Sequence, residues 1–184
     1  MTPAVFLDRD GTLMKEVHYC ADARLVKVYP GVSGALRRLK DAGFRMFIVT
    51  NQSGIGRGLF SEAQYREVQA ELIRQIGPGL IDATYYCPDV PGASSPRRKP
   101  NPAMVLEAAR EYDIDLSRSY FIGDKSDDIE CGRRAGTRTI LVATGYGSQA
   151  ICQPTCRAQD LPEAVNLVLE DLRRAPIGGC DSRW

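Results

Sequence analysis

Residues 5 to 13 read Val-Phe-Leu-Asp-Arg-Asp-Gly-Thr-Leu. Three apolar residues run directly into two carboxylates one residue apart, then a glycine and a threonine. A short apolar run bounded in this way is a buried strand, so the acids are delivered to a strand's carboxyl end. Two anions held at one point are costly unless something offsets them. A metal ion, a phosphate-binding site or both would do so, and the rest of the chain has to supply the parts.

The same grammar recurs along the sequence. Met46–Val49 runs into Thr50, Ala83–Tyr86 into Cys87, Tyr120–Ile122 into Gly123-Asp124, and Thr139–Val142 up to Ala143. Amphipathic stretches separate these runs at 32–42, 61–76, 102–112, 127–135 and 161–174. Ser61 reads as an N-cap, and Asn101-Pro102 as a cap followed by proline at the first helical position. Alternating strand and helix predicts an α/β fold: a single Rossmann-like, doubly wound parallel sheet with helices on both faces. A chain of 184 residues suffices for one such domain, expected over 1–175, with a frayed tail at 176–184.

Charge excludes some partners. With 24 basic and 23 acidic residues, the net charge is +1, which gives no support for binding nucleic acid or a membrane surface. No leader with a basic start and no apolar run of membrane-spanning length is visible, so a cytoplasmic protein is expected. The six cysteines are irregularly spaced and read as reduced thiols. Cys152 and Cys156 read as a loop coincidence.

In an open parallel sheet, ligands bind beyond the carboxyl ends of the strands. Asp8, Thr50 and Asp124 each stand directly after a predicted strand and should share one crevice, with Lys99 reaching in from a loop. Residues two apart on extended chain point the same way, so Asp8 and Asp10 are both expected at the crevice mouth. Gly11 allows a turn there, with the Thr12 hydroxyl in support. Three carboxylates suit Mg²⁺, which takes hard oxygen ligands. Thr50, Asn51 and Lys99 add donors and a positive charge, which together describe a phosphate site. Gly54-Ile55-Gly56-Arg57-Gly58 lacks the spacing of a dinucleotide fingerprint and reads as a flexible turn. His18, the single histidine, has either a surface or a substrate-facing place.

Asp-x-Asp-Gly-Thr at 8–12, a strand ending in Thr50, Lys99, and Gly-Asp-x-x-x-Asp at 123–128 occur in the order seen in haloacid dehalogenase-like phosphohydrolases, which the chain resembles over about residues 5–145. The resemblance implies that Asp8 is a nucleophile forming an aspartyl-phosphate and that Asp10 is a general acid and base. Mg²⁺ would be held by Asp8, the Asp10 carbonyl and Asp124, leaving the Asp10 carboxyl free to carry a proton. Thr50 and Lys99 would hold the phosphoryl oxygens, and Asp128 would partner Lys99 or a metal-bound water. The gaps at 14–45 and 54–97 have no space for a separate cap domain, so the site should be open.

FLDRDGT, VTNQSGIGRGLFS, RRKPNP and GDKSDDI resemble the branch of that superfamily holding heptose 1,7-bisphosphate and histidinol-phosphate phosphatases. This implies substrate contacts from Arg9, Asn51, Gln52, Ser53, Arg57, Arg98 and Lys125, and from the stretch Glu16–Tyr19. That branch commonly carries a zinc loop, C-x-H followed by C-x-C. Here Cys87-Pro88-Asp89 keeps one cysteine and replaces the histidine, so no structural zinc is expected and prolines are expected to fix the loop. The first expectation is a monomeric Mg²⁺-dependent phosphatase of a small phosphorylated sugar, a heptose bisphosphate losing its 7-phosphate. The alternatives are histidinol-phosphate hydrolysis, a 3′-phosphatase on nucleic-acid ends and a non-catalytic phosphosugar-binding module.

Overall fold

The computed structural model describes residues 1–174; the expected frayed tail and Cys180 lie outside the described residues. Strands β1 (Ala4–Leu7), β2 (Arg45–Asn51), β3 (Ala83–Cys87), β4 (Tyr120–Gly123), β5 (Arg138–Val142) and β6 (Cys156–Ala158) form one sheet in the order β3-β2-β1-β4-β5-β6. All the pairings are parallel. The order reverses between β1 and β4, which creates a crevice beyond their carboxyl ends.

Helices α1 (Val32–Asp41), α2 (Ser53–Gly56), α3 (Glu62–Ile76), α4 (Ala103–Glu111), α5 (Ser126–Ala135) and α6 (Leu161–Arg174) make the crossovers and cover the sheet. Alternate residues of β1 serve opposite faces. Val5 and Leu7 pack with Leu36 and Leu39 of α1, Leu72 of α3 and Val165 of α6. Ala4 and Phe6 join Met104 and Val105 of α4 and Cys131 of α5. Phe6 stacks on Phe47 of β2 at 5.4 Å and on Phe121 of β4 at 6.4 Å. Burial on both faces is why these strands read as continuous apolar runs. Between β1 and β3 lie only loops, a 3-10 turn at Ala23–Leu25, α1, β2, α2 and α3, and no cap domain is inserted. Among the described residues no helix is long and apolar enough to cross a membrane.

Several elements differ from expectation. β2 continues through Thr50 and Asn51, because β3 offers them partners in Tyr86 and Cys87. β6 was not anticipated: it has three residues, Cys-Arg-Ala, two of them exposed, too short and polar for a pattern. Cys156 is therefore an edge-strand residue paired with Ile140, while Cys152 stands in the loop before it. In α4, Pro102 is the cap rather than the first helical residue.

The glycine stretch is a turn only at Arg57-Gly58. Ser53–Gly56 is a short helix whose glycines permit close contact. A Cβ on Gly54 would lie 2.1 Å from the Phe60 ring, and one on Gly56 would lie 2.5 Å from the Pro88 carbonyl oxygen. Just beyond, α3 opens on a reciprocal cap. The Gln64 N–H donates to Ser61 Oγ (3.2 Å), and the Ser61 N–H donates to Gln64 Oε1 (2.9 Å).

Replacing Ser61 with Ala removes half of that cap and should lower stability by about 1 kcal/mol. Urea unfolding should show a lower midpoint at an unchanged slope, with turnover unaffected because Ser61 is exposed and outside the crevice. An unshifted midpoint would show that the cap is dispensable.

Candidate active site

The turn at the end of β1 leads into the crevice. Gly11 adopts a left-handed φ of +91°, and a Cβ there would strike the Asp124 carboxylate at 2.2 Å. The Thr12 hydroxyl, expected to support this turn, is buried without a hydrogen-bond partner among the described residues. Support comes instead from Thr144, whose hydroxyl donates to the Gly11 carbonyl at 2.6 Å. The loop after β5 also supplies the Tyr146 N–H, which donates to Asp124 Oδ2 at 2.9 Å. Neither residue was anticipated, because a loop threonine and a backbone N–H leave no pattern in a sequence.

Three buried carboxylates, Asp8, Asp124 and Asp128, bring one oxygen each within 4.8 Å of the others. Lys99 enters from the loop before α4, 3% exposed. Its Nζ lies 2.7 Å from Asp8 Oδ1, 2.6 Å from Asp128 Oδ1 and 2.7 Å from the Val49 carbonyl. Asn51 fixes the Lys99 backbone from both sides: its Oδ1 accepts the Lys99 N–H (3.1 Å) and its Nδ2 donates to the Lys99 carbonyl (3.1 Å). Asp128 also accepts the Lys125 N–H at 2.9 Å.

The electrostatics follow from this crowding. Burial favours the neutral form of Asp8, but Lys99 and then Lys125 outweigh it and hold the carboxyl below its ordinary range. Burial, then the Asp8 charge, pushes Asp124 up to about 8 and Asp128 up to about 6. For Lys99, burial is overcome by Asp128 and Asp8, so its pKa is raised. Asp124 Oδ1 is buried with no hydrogen-bond partner among the described residues. An orphaned carboxylate oxygen beside two further acids fits a hard divalent cation.

Asp10 shares the crevice with Asp8, as expected, although β1 ends at Leu7 and the chain beyond the strand carries it there. Its carboxylate stands outside the three-acid cluster and is not free. Arg9 Nε donates to Asp10 Oδ2 (2.9 Å), Arg9 Nη2 to Asp10 Oδ1 (3.1 Å), and Gln52 Nε2 to Asp10 Oδ2 (2.9 Å). Gln52 also donates to Thr50 Oγ1 at 2.9 Å and accepts from Arg9 Nη2 at 3.0 Å. Arg9, expected to touch substrate, is 1% exposed and engaged mainly in this network, with its guanidinium over the Tyr65 ring.

Asp8, Arg9, Asp10, Thr50, Gln52, Lys99 and Asp128 line a cavity of about 250 Å³ together with Asn51, Ser53, Arg98, Lys125 and the stretch Glu16–Cys20. Arg57 is exposed and does not line it. His18 stands at the rim against Tyr19, their rings 4.3 Å apart. Cys20 and Tyr146, also in the lining, carried no sequence signal. The loop over 87–98 is tied by hydrogen bonds. Cys87 Sγ donates to Asp89 Oδ2 (3.4 Å), Arg98 Nη1 to the Asp89 carbonyl (2.9 Å), and Asn101 Nδ2 to the Ser95 carbonyl (2.9 Å).

Fold and site together define a haloacid dehalogenase-like phosphatase. The HAD-hydrolase-like family model matches residues 96–175. D-glycero-D-manno-heptose-1,7-bisphosphate 7-phosphatase of Thermosynechococcus vestitus is 39% identical over 92% of this chain and 97% of its own. The D-glycero-beta-D-manno-heptose-1,7-bisphosphate 7-phosphatase of Photorhabdus laumondii is 36% identical over 95% and 93%. Among solved structures, a D,D-heptose 1,7-bisphosphate phosphatase of B. bronchiseptica, complexed with magnesium and phosphate, superposes with a TM-score of 0.84. It is 30% identical, over 92% of this chain and 99% of that one. The chain belongs to the family of heptose 1,7-bisphosphate 7-phosphatases.

Replacing Lys99 with Met leaves Asp8 and Asp128 buried without their ammonium. In chelator at neutral pH the loss should be about 3–5 kcal/mol, as for breaking a buried pair from one side. A carboxyl whose folded pKa is raised stabilises the fold below that value and loses the contribution above it. The deficit should therefore shrink as pH falls, beginning above about 6, because Asp128 loses in Lys99→Met the charge that holds its pKa down to that value. A pH-independent deficit in urea titrations would contradict the assignment of Lys99 as their counter-charge.

Proposed function

We propose that the chain is a Mg²⁺-dependent 7-phosphatase of a heptose 1,7-bisphosphate, acting through an aspartyl-phosphate on Asp8. The observation that carries this reading is the division of labour between the acids. Asp8 is gripped by Lys99 at the floor of the crevice, whereas Asp10 is held away from the carboxylate cluster by Arg9 and Gln52. Asp8 stays ionised and positioned to attack phosphorus. Asp10, on a separate network at the mouth, serves the leaving oxygen as general acid and then the attacking water as general base. Because its carboxylate is engaged by Arg9, the substrate has to loosen that pair for the proton to pass.

Asp8, Asp124 and the Asp10 carbonyl would hold the metal. Bound there, Mg²⁺ offsets the repulsion between an anionic nucleophile and an anionic phosphoryl group. Lys99 and Thr50 hold the phosphoryl oxygens as charge develops on them. Asn51 positions Lys99 through its backbone, and Gln52 positions Thr50 and Asp10. Arg98 and Lys125, with Ser53 and the 16–19 stretch, give a bisphosphate further cationic and polar contacts. The relatives' names support the choice of sugar bisphosphate. One chain supplies all of these residues, which supports action as a monomer, and a sugar phosphate substrate suits a cytoplasmic enzyme. No structural zinc is proposed for the 87–98 loop: Cys87 and Asp89 do not make a closed tetrahedral set.

Asp8→Asn should abolish turnover while the protein still unfolds cooperatively, and appreciable residual hydrolysis would remove Asp8 from the nucleophile's role. For Asp10→Asn a fall in rate of roughly two to four orders of magnitude is expected. On the substrate question, kcat/KM should be highest for heptose 1,7-bisphosphate among that compound, histidinol phosphate and a 3′-phosphorylated oligonucleotide. Preference for either of the others would overturn the substrate assignment, and turnover of none would favour a binding module. Metal analysis finding one zinc per chain would refute the zinc-free loop.

A further inference from the structure

Two ammonium groups divide the acid cluster between them. Lys99 takes Oδ1 of Asp8 and of Asp128 and is buried. Lys125 faces the other side. Its Nζ lies 3.9 Å from Asp8 Oδ2, 4.0 Å from Asp124 Oδ1 and 3.5 Å from the Asp10 carbonyl oxygen. Those residues are the ones assigned above to the metal, and Asp124 Oδ1 is the oxygen that finds no hydrogen-bond partner among the described residues. Lys125 differs from Lys99 in being mobile in principle: its side chain is 38% exposed and also pairs with Glu16 at 3.1 Å. The Tyr146 ring, 5.3 Å from Nζ, offers a second place for the charge at the rim.

From this geometry we infer that Lys125 is a built-in competitor of the divalent cation: its ammonium draws on the same three oxygens and weakens metal binding. The inference rests on the Mg²⁺ reading of Asp8, Asp10 and Asp124. Its reason is elementary. An ammonium about 4 Å from a carboxylate interacts strongly in a partly buried site. A divalent ion entering among those oxygens both loses their undivided attraction and meets a like charge. Glu16 and the Tyr146 face supply the alternative seat to which Nζ retreats when the ion enters. Lys125 thereby limits how tightly the metal is held, and it keeps the three acids partly neutralised when the metal leaves.

The test is the affinity of the whole chain for Mg²⁺ alone, by titration calorimetry without substrate. Lys125→Met should bind Mg²⁺ roughly tenfold or more tightly than the native protein. Lys125→Arg, which keeps the charge, should stay within roughly threefold of native. Thermal unfolding gives a second reading. In chelator Lys125→Met should melt below the native protein, and Mg²⁺ should raise its melting temperature by more than it raises that of the native chain. Unchanged or weaker Mg²⁺ binding by Lys125→Met would overturn the inference, as would equal tightening by Lys125→Arg. Failure of the underlying metal reading is separable: native protein would then bind no Mg²⁺, or Asp124→Asn would bind it as well as native does.

Discussion

The Lys99 ammonium is the interaction on which the site depends. It joins four separate stretches of chain: the end of β1 through Asp8, β2 through the Val49 carbonyl, its own loop, and α5 through Asp128. Without it, two buried carboxylates would meet with no charge between them, and burial alone would neutralise them. With it, Asp8 is kept ionised at a fixed position, as the nucleophilic role proposed for it requires. Asn51 holds the Lys99 backbone with two hydrogen bonds, so the ammonium is aimed by the sheet and not by a loose side chain. The parallel order β2-β1-β4 matters because it places the ends of these strands side by side.

Much of this was legible in the sequence because it rests on strand ends. A buried parallel strand is a short apolar run, and the polar residue that follows it is conspicuous; Asp8 and Asp124 were found in that way. The limits are equally physical. β6 is too short and too polar to leave a pattern, and its existence depends on β5 having an open edge. The reach of β2 into Thr50 and Asn51 is set by β3 and not by those residues' own preference. Asp10 reaches the expected crevice, but its hold by Arg9 and Gln52 is a tertiary contact that spacing does not specify. Asp128 was seen as a partner for Lys99, but its simultaneous hold on the Lys125 N–H is a helix-start geometry that spacing does not specify. Tyr146 contributes a backbone group, which has no residue signature at all.

The glycines around the crevice show the same dependence on tertiary contact. Gly54 and Gly56 look like freedom in the sequence and are close packing in the fold, against Phe60 and the Pro88 carbonyl. That contact fastens the start of the 87–98 loop to the segment carrying Ser53. The loop is then closed by Cys87 with Asp89, by Arg98 with the Asp89 carbonyl, and by Asn101 with the Ser95 carbonyl. Hydrogen bonds thus tie a segment whose sequence pointed to prolines alone.

The consequence reaches specificity. With no cap domain to close over the substrate, discrimination has to come from groups already standing at the rim, and these need a rigid mount to be selective. Arg98 has one: its guanidinium is anchored on the Asp89 carbonyl while its neighbour Lys99 is anchored on Asp8 and Asp128. The two cations are therefore set at a fixed spacing, one at the floor and one on the wall of a cavity of about 250 Å³. On the opposite side Lys125 is shared between Glu16 at the rim and the oxygens of Asp8, Asp10 and Asp124 inside. A fixed pair of cations facing an adjustable one suits a substrate with one reacting phosphate and further anionic charge beyond it. It also leaves the arrangement of the 16–19 stretch, through Glu16, able to change where the third charge points.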